Sequence, residues 1–173
     1  MSIIYNSFEA NLETAFVQVM TKYLRDNYKD FNRLAIVNTA GDVDQYQPIE
    51  DNGPIDPNQL LITNLPRVIC SAESANEAIY QTGIYEVTMN FIIKVDLDSG
   101  GYPQAKALQS CVIDALQLKQ LKQLLTSTVD TFNKQLVVIN GIVIGEQHLN
   151  EVDNRMWKKT ITMLVYGFST DAP

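Results

Sequence analysis

The stretch Tyr85-Glu86-Val87-Thr88-Met89-Asn90-Phe91-Ile92-Ile93-Lys94-Val95-Asp96-Leu97 decides the fold. Its odd positions are all apolar, and its even positions are polar at all but Ile92. Successive side chains of a strand point to opposite faces, so this is one long β-strand with a core face and a mostly wet face. At ~3.3 Å per residue it runs to roughly 43 Å, long enough to project beyond the core of a small domain.

The chain on either side supplies the partners. Pro66-Arg67-Val68-Ile69-Cys70-Ser71-Ala72 reads as a neighbouring strand that starts after a proline, where a missing N–H does least harm. The polar connection Glu73–Gly83 reads as a wide hairpin loop. After the long strand, Asp98-Ser99-Gly100-Gly101 forms a turn and Pro103 opens a helix with Leu108, Cys111, Val112, Ala115 and Leu118 on its apolar face. The rhythm continues through Leu121, Leu124, Leu125, Val129 and Phe132, but the stripe drifts and Thr126-Ser127-Thr128 interrupts it. Residues 103–132 are therefore two helices or one kinked helix.

The C-terminal part is β-rich. Asn140-Gly141 separates Leu136-Val137-Val138-Ile139 from Ile142-Val143-Ile144. That is either a hairpin turn or a glycine bulge in one continuous strand. A polar loop, Gly145–Asn154, holds the only histidine, His148, and precedes a last strand from Arg155 to Phe168. At the other end, Phe8, Leu12, Ala15, Phe16, Val19, Tyr23 and Leu24 form the stripe of an amphipathic helix. Ser7 is its N-cap, Glu9 lies in its first turn, and Lys22 and Arg25 lie near its C-terminus, as the helix dipole favours. Leu34-Ala35-Ile36-Val37 is a short strand candidate.

These elements predict an α+β fold: an antiparallel sheet with a long central strand, packed by the N-terminal helix and one or two mid-chain helices. The chain reads as a single domain over residues 1–173, with an acidic, Pro- and Gly-containing loop at about 38–64. Between Gly41 and Pro57 that loop carries Asp42, Asp44, Glu50, Asp51 and Asp56, with no Lys or Arg. It reads either as a solvated excursion or as an interaction loop.

Charge and chemistry exclude several function classes. Thirteen Lys+Arg against 20 Asp+Glu leave a net charge of −7, unsuited to a protein that grips nucleic acid through a basic surface. At 46% hydrophobic and 19% charged residues, the composition is that of a globular chain. No targeting segment is read at the N-terminus, and no apolar run approaches the ~20 residues that span a bilayer. The two cysteines, Cys70 and Cys111, have no C-x-x-C spacing and are expected as buried thiols of a reducing compartment. The lone His148, flanked by Gln147 and Leu149 in a polar loop, reads as a solvated rather than a catalytic histidine, and a multi-histidine zinc site fails on count. Gly100-Gly101 matches neither the Walker spacing nor the dinucleotide fingerprint, and Asp96-x-Asp98-x-Gly100 lacks the remaining ligands of a calcium loop. The expectation is a protein that is not an enzyme, with no catalytic residues, no cofactor and no metal. Arg155, Lys158 and Lys159 gather around Trp157 and are the candidate interface group.

In this order, the elements resemble the tail terminator (tail completion) proteins of long-tailed bacteriophages. The likeness lies in the starting helix, the Leu65-Pro66 step into Arg67–Glu73, the long alternating strand Ile84–Leu97 and the Gly-rich turn into Ala105-x-Ala107-Leu108. It ends in Gly145 through Asn154-Arg155-Met156-Trp157-Lys158-Lys159-Thr160-Ile161-Thr162, a basic-aromatic start to a Thr-alternating strand. The acidic stretch 38–64 and the long second helical region depart from that pattern.

The resemblance implies a virion protein of the tail or neck, made in the bacterial host cytoplasm and not attached to a membrane. It implies a homohexameric ring that caps the tail tube, ends polymerisation of the tail tube protein and offers a docking face to the head–tail connector protein. DNA would pass through the lumen without specific binding, and a net negative protomer suits that passage because like charge repels phosphate. Alternatives are another neck or tail assembly component, such as a connector subunit or tube protein, and a cytoplasmic ligand-binding α+β domain.

Overall fold

The computed structural model describes residues 7–31, 34–38, 46–47, 66–77, 83–96, 101–126, 134–151 and 156–171. Helix α1 spans Ser7–Asn27. Strands β1 (Ala35–Asn38), β2 (Tyr46–Gln47), β3 (Arg67–Glu77) and β4 (Tyr85–Asp96) follow. Helices α2 (Gly101–Leu116) and α3 (Leu121–Thr126) lead into β5 (Lys134–Glu151) and β6 (Met156–Asp171). The fold is α+β. Over residues 101–126 the helical region is two helices, separated at residues 117–120, and Val129 and Phe132 of the expected stripe lie outside the described residues.

The strands form one six-stranded sheet in the order β2-β1-β3-β4-β6-β5. β4 is central and pairs antiparallel with β3 on one side and β6 on the other. The sheet is not wholly antiparallel, because β1 runs parallel to β3, pairing Ala35 with Arg67 through Asn38 with Cys70. A parallel pair needs a crossover of a dozen or more residues, and the chain between residues 38 and 67 is long enough to supply it.

Two expected loops prove to be partly strand. β3 continues through a bulge between Ala72 and Ser74 as far as Glu77, so the connection to β4 is shorter than Glu73–Gly83. β5 runs 18 residues through Asn140-Gly141 and on to Glu151, taking in most of the expected Gly145–Asn154 loop. Asn140-Gly141 is not a hairpin turn. The register shifts between Val138 and Asn140, and again between Val143 and Gly145, which marks bulges in one strand. A type I′ turn needs positive φ at both central residues, and among the described residues the positive-φ glycines are Gly83 and Gly101.

The core lies between one sheet face and the helices. Val87, Met89, Phe91, Ile93 and Val95 of β4 are buried together with Trp157, Ile161, Met163 and Val165 of β6. From α1, Phe8, Leu12, Ala15, Phe16, Met20 and Leu24 pack down on them. Phe16 meets Phe91 edge-on, with ring centroids 4.9 Å apart. Ala105, Leu108, Val112 and Ala115 give α2 the same inward face.

Candidate functional site

The pleat of β6 divides the candidate interface group. Trp157 pairs with Val95 and is 1% exposed, so it belongs to the core face and is not presented to a partner. Lys106 of α2 stands over it, with Nζ 6.0 Å from the Trp157 ring centroid and 5.2 Å from that of Tyr102. Of the candidate interface group, Trp157 is thus a core residue of the protomer, separated by the pleat from Lys158. Lys158 pairs with Lys94 on the opposite face, and Lys159 pairs with Ile93 on the helix side. Arg155 and the acids Asp42, Asp44, Glu50, Asp51 and Asp56 lie outside the described residues. Of the stretch around these acids, Tyr46–Gln47 is described, and it pairs with Val37 and Ile36 at the sheet edge.

Sequence reasoning did not find the second sheet face as a unit. In register across three strands lie Arg67, Lys94 and Lys158, then Ile69, Ile92 and Thr160, then Ser71, Asn90 and Thr162. Asn90 is buried, and its side-chain oxygen accepts the Thr162 hydroxyl at 2.8 Å. Glu86 pairs with Tyr166 further along, and its hydrogen bond raises the phenol's pKa above the ordinary value. The residues of this face on β4 and β6 are mostly half-buried rather than covered by the helices. Arg67, Lys158 and Lys159 each have an interaction partner within the protomer.

Cys70 is fully buried, and desolvation together with the nearby Glu13 carboxylate pushes its thiol pKa far up. Cys111 is half-buried rather than buried, and burial and Asp114 raise its pKa. Among the described residues, no three His, Cys, Asp or Glu side chains come together in a metal-holding group. No described helix is long and apolar enough to cross a membrane.

No protein-family model matches the sequence, and no curated protein does. Among solved structures, one chain of the virion of a native gene transfer agent (GTA) particle aligns over 90% of this chain and 96% of its own, with a TM-score of 0.52 and 16% identity. The two chains share a fold. At that identity the likeness is one of architecture, carried by the sheet and its helices rather than by matched side chains. A crystal structure from Akkermansia muciniphila aligns over 99% of this chain and 88% of its own, with a TM-score of 0.35 and 13% identity.

Proposed function

We propose that this chain is a structural virion protein that caps a phage tail tube as a ring, ending tube polymerisation and offering a docking face to the head connector. One observation carries the reading: its fold is shared, over nearly the full length of both chains, with a component of a gene transfer agent virion. The sequence resemblance to tail terminators supports the same assignment from independent features. So does the shape of the sheet, whose 18-residue edge strand β5 offers backbone groups to a neighbour.

A second reading, another neck or tail component such as a connector subunit or tube protein, draws on the same fold match, since that particle is described as a whole virion. Removing the gene and imaging the resulting particles separates the two. Loss of a terminator gives tails of uncontrolled length that lack heads. Loss of a tube protein gives no tails, and loss of a connector gives tails of normal length detached from heads. Normal, joined particles without this chain would overturn the virion reading itself.

A further inference from the structure

β5 is the long edge of the sheet. β6 pairs with it on one side, and the strand order leaves its other side without a strand among the described residues. Its middle, Leu136-Val137-Val138-Ile139-Asn140-Gly141-Ile142-Val143-Ile144, has no charged residue and no proline, and most of its side chains are β-branched. Ile139 in this stretch is 41% exposed. A neutral, β-branched segment on an open edge is the kind that pairs with a copy of itself.

Two amides flanking the first bulge of this stretch are already taken. The Val138 N–H donates to the hydroxyl of Thr126, the last residue of α3, at 3.3 Å. That hydroxyl donates in turn to the Lys122 carbonyl at 2.8 Å, which fixes its rotation and leaves a lone pair for Val138. Gln135 donates its side-chain N–H to the Thr126 carbonyl at 3.1 Å, serving one of the carbonyls that a helix end leaves open. Past the bulge, the Gly141 N–H donates to the side-chain oxygen of Asn140 at 2.9 Å. Leu121 and Leu125 of α3 are buried, and with Val138, Met163 and Val165 they line one small pocket, so α3 is seated on β5 by packing as well.

We infer that Thr126 is an autoinhibitory contact: α3 closes the bulged middle of the β5 edge, and β5 of a second copy pairs there only when Thr126 lets go. An N–H bonded to Thr126 is closed to an incoming carbonyl. The partner strand is another β5, because a neutral segment meets no repulsion from its own copy, whereas β2 at the opposite edge has two residues to offer. Bulges and a covering helix are the usual ways a protein blunts such an edge, and β5 carries both. The inference goes beyond the ring reading and does not need it, since it concerns what the edge does when uncovered.

The test uses the full chain, amide exchange by NMR and sedimentation velocity. Thr126→Val removes the hydroxyl and keeps the shape; Thr126→Ser keeps the hydroxyl. Thermal melts show whether each variant folds as the wild type does, and if Thr126→Val does not, Gln135→Ala releases the same helix end through its other bond. In the released variant the Val138 amide should exchange at least tenfold faster while the amides of β4 stay protected. The same variant should reach half-association at a protein concentration at least tenfold below that of the wild type, and Thr126→Ser should match the wild type in both. Adding Ile139→Lys to the released variant places a charge on the freed edge and should return association to the wild-type level. A released variant with fast exchange at Val138 but wild-type association would overturn the guard. So would unchanged exchange at Val138, and a gain in association that Ile139→Lys leaves intact would show that β5 is not the surface that pairs. The content of purified particles is a separate measurement, so the virion reading does not depend on these results.

Discussion

The Glu13 carboxylate of α1 accepts the backbone N–H of Ala72 of β3 at 2.7 Å, in the core, with Glu13 only 2% exposed. The last described pair between β1 and β3 is Asn38 with Cys70, two residues short of Ala72. Beyond that pair the carboxylate serves as the hydrogen-bond acceptor for the β3 backbone, beside the bulge that follows Ala72. A helix side chain thus completes the sheet and ties α1 to it. Glu13→Ala should lower unfolding free energy by about 1–3 kcal/mol, the cost of leaving a buried donor unpaired. Glu13→Gln keeps an acceptor and should lose less than half as much in urea denaturation. Equal losses for both variants would show that charge, not the bond to Ala72, is what matters.

Phe91→Ala should cost about 3–5 kcal/mol, because Phe91 is fully buried against Phe16 and leaves a cavity when truncated. Thr88→Ala lies on the half-buried face of the same strand and should change protomer stability by no more than about 0.5 kcal/mol. Chemical denaturation of the two variants side by side checks the difference.

Gly167 is needed for space. A Cβ there would overlap the Val137 carbonyl oxygen and lie 2.8 Å from Phe8 Cε2. Since one of those neighbours is backbone, Gly167→Ala should cost about 1–3 kcal/mol and loosen the N-terminal turn of α1 against β6. Gly141→Ala meets the mobile end of Met163 at 2.5 Å and should cost less. Melting temperatures of the two alanine variants rank them.

Cys70 should resist thiol reagents in the native state while Cys111 reacts slowly. Burial holds the Cys70 proton, so its folded pKa lies above that of the unfolded thiol. Below about pH 8.5 both states keep the proton and the group contributes nothing to pH dependence. Above that, the unfolded chain ionises first, binds fewer protons than the native state, and stability falls as pH rises. Cys70→Ala should flatten that alkaline decline. A count of reactive thiols with an aromatic disulfide at pH 8, before and after denaturation, checks the first part.

The residues that decide the secondary structure were legible one by one. The alternation of Tyr85–Leu97 marks β4, and the stripe Phe8 through Leu24 marks α1, because a buried face imposes its period on the chain. In the last strand Trp157, Ile161, Met163 and Val165 alternate with Lys158, Thr160, Thr162 and Leu164, and the structure buries the first four together. The basic neighbours of Trp157 suggested an interface only because adjacency in sequence hides the pleat that sends Lys158 to the other face. Glu13 left a faint signal, an acid four residues before Val17 and seven before Met20 on a helix whose inward face is apolar.

By itself, the sequence determined the α+β class, the long central strand, the helical segments, the acidic excess and the lack of a second histidine. Those follow from periodicity and composition, which are local. Tertiary structure alone decided the parallel pairing of β1 with β3 and the continuation of β5 through Asn140-Gly141. Each depends on which distant strand lies alongside. β6 pairs β5 from Lys134 to Glu151, and that ladder outweighs the turn preference of two residues.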